Sequence, residues 1–367
     1  MNRIVQLDFF RGLMLVIMMM DHLIYFPLPS LQPYTYNFTF QTFGFASAAE
    51  GFVLLSGIIF GLVYGRKYAE GGAALFNRLA ARRLAVIYAH YIGTYFLIAL
   101  LFSWPVFANA WPQVWESQEM IKREPWAMLA RGAVFVHQTG LLDILPMYVI
   151  FIALAIPAMR LLAAGRWKLL FAVSFALWII GQGFFGLMRP QEFIEMRTGL
   201  HLGWFEIAAW QIVFIAGLAL GYWRAANPDF RPPVSKGYIA AALAVALPLF
   251  IYRHQFMLWQ DAIPHAEFFD ARNLGMVRLF NTAALAYLFY ALARARPQWF
   301  QARFAADLGG AAIRVFCYHV LVCYALTPFR AELGDLPVAL QLLIWAALVA
   351  SLYLPVFLRR PAKPAPA

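Results

Sequence analysis

Ten stretches of this chain are apolar over the length needed to cross a hydrocarbon layer: residues 10–27, 43–65, 84–104, 141–163, 168–188, 206–223, 236–253, 276–293, 308–328 and 337–358. A bilayer core of about 30 Å takes about 20 residues of α-helix at 1.5 Å per residue. Inside it no water can bond a free N–H or C=O, so a spanning segment must be helix or part of a closed barrel, and near-continuous rather than alternating apolarity selects helix. With 63% hydrophobic and 13% charged residues and a mean hydropathy of +0.66, the composition is that of a membrane protein. The expected fold is therefore an all-α, polytopic integral membrane bundle of about ten transmembrane helices. It forms one transmembrane domain over residues 1–358, followed by a short disordered Pro/Ala tail over 359–367.

Lysine and arginine placement orients the bundle. Nineteen fall on the side of the amino terminus, nine on the other, and Arg314 alone lies inside a span. The excess predicts both termini in the cytoplasm of a multi-pass membrane protein, with membrane lipid as a constant partner. It also accounts for the formal charge of +11 without nucleic acid. No signal-peptide cleavage is expected, because the nearest small-x-small triplet, Ala46-Ser47-Ala48, lies beyond polar residues and inside the second apolar run. Cys317 and Cys323 are the only cysteines; six residues apart on one helix, about 9 Å, they are too distant for a disulfide. No internal repeat, phosphate-binding glycine loop or metal-ligand spacing is evident, so neither a metal nor a permanently bound cofactor is expected.

The first apolar helix carries charge that lipid does not tolerate idly: Leu7 to Leu23 contains Asp8, Arg11, Asp21 and His22. Arg11 and His22 are eleven residues apart, which puts them within roughly 20° of one helix face and about 16 Å apart along the axis. That face offers a cation near the surface and a proton acceptor deep inside. Asp8, one turn before Arg11, is placed to pair with it. Glu50, about 10 Å into the second apolar segment, falls near the depth of His22. A carboxylate there would fix the histidine tautomer and stabilise its imidazolium; the alternative is a structural role at the helix start.

Arg78 and Arg82, one turn apart after the second segment, suit either a clamp for a phosphorylated ligand or positive-inside anchoring. Arg314 suits a carboxylate or phosphate, or a structural ion pair. Trp210 and Gln211 are candidate ligand-binding residues or interhelical hydrogen-bonding groups. Asp143 stands where a helix cap or a substrate contact would, and His319 lies five residues beyond Arg314. In the connection 105–140, Trp104, Trp111, Trp115 and Trp126 among Glu116, Glu119 and Glu124 read as an aromatic belt or as a sugar platform.

The spacing of Arg11 and His22 resembles the signature of the transmembrane acyltransferase-3 superfamily, and Phe52-Val-Leu-Leu-Ser-Gly57 and the cluster Arg78 to Arg83 resemble its next two blocks. Within it, Leu7-Asp-Phe-Phe-Arg-Gly12, Asp143-Ile-Leu-Pro-Met-Tyr148, Ala209-Trp-Gln-Ile-Val-Phe-Ile-Ala-Gly217 and Asp307 to His319 are most similar to the OpgC family, the succinyltransferases of osmoregulated periplasmic glucans. The resemblance implies transfer of an acyl group, expected to be succinyl, from cytoplasmic acyl-CoA as co-substrate to a hydroxyl of a periplasmic glucan. His22 would be the base, with Glu50 or Asp21 to orient it. Arg11, Arg78, Arg82 and Arg314 would hold the donor; Asp143, Trp210, Gln211 and His319 would face the substrates. Two rivals stand beside this: a proton-coupled transporter with Asp21, His22 and Glu50 as a relay, and an acetyltransferase of another envelope glycan.

Overall fold

The structure is a computed structural model that describes residues 4–39, 41–106, 120, 122–183, 188–256 and 268–358. It is all-helical, with 80% of residues in helix and no strands among the described residues; one isolated bridge joins His137 to His201. The helices are α1 (Val5–Tyr25), α2 (Gln32–Thr39), α3 (Ala48–Phe102), α4 (Pro125–Ala133), α5 (Ile144–Ala163), α6 (Trp167–Gln182), α7 (Pro190–Thr198) and α8 (Ile207–Ala226). They continue with α9 (Lys236–Phe256), α10 (Met276–Ala295), α11 (Arg303–Gly310), α12 (Ala312–Leu326), α13 (Arg330–Gly334), α14 (Val338–Ser351) and α15 (Leu354–Phe357). The proposed tail 359–367, and with it Trp111, Trp115, Glu116, Glu119 and His265, lies outside the described residues.

Among the described residues, seven helical runs are long and apolar enough to cross a membrane, so the chain is a multi-pass membrane protein. The difference from ten has a local cause in each case. α3 holds two apolar segments in one run of 55 residues. α1 is followed by a 106° bend into 29–35, and α6 has only 16 residues.

The connection 66–83, expected as a cytoplasmic loop, is helix instead. Its Ala, Leu, Arg, Lys and Glu are strong helix formers, and only Gly72, with φ 66°, interrupts the run. That left-handed value suits a residue without Cβ, and it breaks α3 into two limbs, the second carrying Arg78, Arg82 and Arg83.

The most extensive helix pair is α3 with α8. Gly57 and Gly61 on α3 meet Gly217 and Gly221 on α8 at four-residue spacing. A Cβ on Gly61 would stand 2.1 Å from the Leu218 carbonyl oxygen, and one on Gly221 2.1 Å from that of Ile58. Side chains are thus excluded where the backbones touch, the usual route to tight packing when lipid removes the hydrophobic drive for association. α1 and α11 meet in the same way: a Cβ on Gly12 would lie 1.9 Å from the Ala305 oxygen, and one on Gly309 1.9 Å from that of Asp8. This contact fixes the height of α12, which starts two residues beyond α11, against α1. α9 and α10 form a hairpin at the periphery, closed by Ala242, Ala246 and Ala284.

Orientation is open to a direct test at exposed sites at opposite ends of the bundle. With Cys317 and Cys323 buried, Ala74→Cys and Thr198→Cys should differ in intact spheroplasts. A membrane-impermeant thiol reagent should label Thr198→Cys only; labelling at Ala74→Cys alone would invert the charge-based orientation.

Candidate active site

α1 carries Arg11 and His22 along one continuous helix, and α12 rises beside it in the same direction. Where the two are closest at depth, His22 Nδ1 lies 2.8 Å from His319 Nε2, with the rings stacked at 5.0 Å between centroids. His319 has no exposed surface. Its other nitrogen, Nδ1, is buried and has no hydrogen-bond partner among the described residues.

In the tautomer that leaves His319 Nε2 as the acceptor, its Nδ1 carries the proton. His22 Nδ1–H is then the donor across the 2.8 Å contact, and the lone pair of His22 is left on Nε2. A neutral imidazole held in this tautomer is a general base with its basic nitrogen free for a substrate proton. Where Glu50 or Asp21 is expected beside His22, the group in contact is His319, itself expected to face the substrates. Asp21, buried on the same turn, points about 100° away from its neighbour His22 around the helix.

Glu50 is committed elsewhere. Its Oε1 accepts from Arg278 Nε at 2.8 Å and also from the terminal guanidinium nitrogen of Arg278, while Oε2 accepts from the Ser47 amide at 2.9 Å and from the Ser47 hydroxyl. Both oxygens are used, and Glu50 and Arg278 are buried to 0% and 1% exposure. Arg278 sits in the first turn of α10, where the lysine and arginine count had placed it among the outer cations. From the next turn, Asn281 Oδ1 accepts from the amides of Phe45 at 2.8 Å and Ala46 at 3.0 Å. Together they pin segment 43–47, and hence the start of α3, to α10.

Below the histidine pair lies a cavity of about 340 Å³, lined by Arg11, Arg83, Arg314, Tyr64, Tyr148 and Phe316 among others. Phe316 links the two features, for its ring also packs edge-on against His319 at 4.9 Å. Arg11 keeps the expected pairing with Asp8, at 3.9 Å, and its guanidinium stands 5.7 Å over the Phe52 ring. The cluster after Gly72 contributes Arg83, not Arg78 or Arg82. Those two share a face turned outward and are exposed, while Arg83, about 100° around the helix, is half-buried against the cavity.

The remaining candidates have structural partners. Trp210 Nε1 donates to the carbonyls of Ala271 at 3.1 Å and Arg272 at 3.0 Å. Gln211 accepts from the Ser174 hydroxyl and donates to the Ser174 carbonyl, each at 2.7 Å, which ties α6 to α8. Asp143 makes no cap to α5; its Oδ2 accepts from the Trp204 amide at 2.8 Å and anchors the connection between α7 and α8.

Comparison with known proteins completes this description. A family profile described as OpgC protein matches residues 3–363. The chain belongs to the OpgC family. Membership implies a transferase role. No curated protein and no solved structure matches the chain.

The Glu50–Arg278 pair separates a structural carboxylate from a catalytic one. Arg278→Met leaves Glu50 buried without its cation, at a cost of about 3–5 kcal/mol, and should sharply lower the thermal midpoint of the detergent-solubilised protein. Adding Glu50→Met removes the orphaned charge and should recover much of that loss; a double variant no more stable than the single one would contradict the pairing.

Proposed function

We propose that this chain is an inner-membrane O-acyltransferase that moves a succinyl group from cytoplasmic acyl-CoA to a hydroxyl of a periplasmic glucan, with His22 as general base. The observation that carries the reading is the contact between His22 and His319 above an arginine-lined cavity, joined to it by Phe316. The family adds the class of reaction. In this reading the two limbs of α3, the bent α1 and the short α6 each cross the membrane, which gives ten spans and places both termini in the cytoplasm.

The donor enters from the amino-terminal side. Arg11 and Arg83 hold its phosphates by charge-assisted hydrogen bonds, and the pantetheine arm runs up the cavity toward Phe316. The acceptor arrives from the opposite side, below the connection that Asp143 anchors. A thioester is already activated, so the chemistry needed is deprotonation of the hydroxyl and a path for the leaving group. The hydroxyl oxygen attacks the thioester carbonyl carbon while its proton passes to His22 Nε2. As the tetrahedral intermediate collapses, the C–S bond breaks and the CoA thiolate takes that proton from His22. His319 Nε2 accepts the His22 Nδ1–H throughout, so the imidazolium formed in between keeps a hydrogen bond in a poorly solvated place. The transporter reading needed Glu50 in a relay with His22; a carboxylate saturated by Arg278 and Ser47 does not favour it.

Release of free CoA thiol from succinyl-CoA on addition of periplasmic glucan tests the proposal with purified protein. His22→Ala should bind the donor nearly as well as wild type yet turn over about 10²-fold more slowly or worse, the scale of a lost general base. A His22→Ala protein with more than about a tenth of wild-type turnover at saturating donor would contradict that role. Release from acetyl-CoA but not from succinyl-CoA would replace the acyl group while leaving the mechanism intact.

A further inference from the structure

Of the three arginines around the cavity, Arg314 stands apart. Arg11 is paired with Asp8, and Arg83 lies at the far end with Tyr64. The Arg314 guanidinium has no hydrogen-bond or ion-pair partner among the described residues, and it sits in the first turn of α12, a helix of 15 residues. The residues leading into that turn, Gly310 to Ile313, line the same cavity. Ala311, the residue before the helix, has no side-chain acceptor for the first amides. An uncapped helix start and an unpaired guanidinium thus face one cavity, and each favours an anion there.

Depth decides which anion. α1 and α12 rise together, since Asp8 and Gly12 abut Gly309 and Ala305 just before α12 begins and His22 meets His319 higher up. On this shared scale, Arg314 is five residues or about 7.5 Å below His319, and Arg11 is eleven residues or about 16 Å below His22. The pantetheine arm puts about a dozen bonds between thioester sulfur and pyrophosphate, on the order of 15 Å when extended. That reach fits Arg11 and overshoots Arg314. The two carboxyl carbons of a four-carbon dicarboxylic acyl group are about 4 Å apart, and a guanidinium carbon lies about 4 Å beyond a carboxylate carbon that it grips. Arg314, about 9 Å of helix rise closer to the histidines than Arg11, stands nearer the acyl end of the donor than its phosphates.

We infer that Arg314, with the uncapped start of α12, binds the free carboxylate of a dicarboxylic acyl group on the donor, and so sets the choice of succinyl over uncharged acyl groups. This deepens the acyltransferase reading and rests on it. An acyl group without the carboxylate leaves the guanidinium and the helix-start amides unmatched beside the reacting centre, a strong basis for discrimination.

Two measurements on the full-length protein in detergent test the inference. Succinyl-CoA should raise the thermal midpoint of the wild type more than acetyl-CoA does at equal concentration; Arg314→Gln should erase that difference, and Arg314→Lys should keep part of it. In CoA-release assays, the preference for succinyl-CoA, taken as the ratio of KM for acetyl-CoA to KM for succinyl-CoA, should fall by about tenfold or more in Arg314→Gln. If Arg314→Gln weakens both donors equally, or changes neither, the inference is overturned, because the charge then serves a part common to both donors or no donor at all. The parent reading fails differently: a wild type neither stabilised by any acyl-CoA nor able to release thiol overturns both, whereas a His22→Ala protein that still turns over while Arg314→Gln loses its preference overturns the base and leaves the carboxylate site standing.

Discussion

The hydrogen bond between His22 and His319 joins residues 297 positions apart, and the chemistry assigned to this chain depends on it. It exists only because α1 and α12 are held at one height, and that height is set lower down, where Gly12 and Gly309 let α1 and α11 touch backbone to backbone. A bulkier residue at either glycine would lift one helix against the other. The imidazoles would then lose a contact that tolerates a few tenths of an ångström at most. In the low-dielectric interior a lost partner costs more than it would in water, so the glycines matter to His22 although they are far from it.

Charge inside the bundle is divided between two tasks. Glu50 and Arg278 neutralise one another completely and, with Asn281, fasten the entrance of α3 to α10. A buried pair of this kind adds little net stability but makes loss of either member expensive, which suits a joint that must not slip. Arg11, Arg83 and Arg314 line the cavity with an excess of positive charge, Asp8 being the acid paired with Arg11. Cations left around open space at membrane depth signal a ligand more than a scaffold, and that contrast separates the site from its supports.

The sequence made some of this legible. Apolar length located the helices, and helical periodicity put Arg11 and His22 on one face, because both facts are properties of a single helix. What it could not reveal lies between helices. The partner of His22 depends on the rotation of α12 about its own axis, and Glu50 took Arg278 instead because α10 packs beside the start of α3. Arg83 replaced Arg78 and Arg82 for a local reason: the helix resumes directly after Gly72, which decides which arginine faces the cavity. Trp210 and Gln211 read equally as ligand groups or as interhelical hydrogen-bonding groups; the partners that the structure gives them, Ser174 and the carbonyls of 271–272, come from other segments.

The central claim is that the two histidines act as one unit, and the most direct measure of that is a double-mutant cycle on turnover with His22→Ala, His319→Ala and both together. If His319 works only by holding His22 in its basic tautomer, the double variant should be no slower than His22→Ala, within about a factor of three, because the second change removes support from a base that is already gone. Losses that multiply across the two sites would show that His319 acts on the reaction independently, and the paired-histidine account would be wrong.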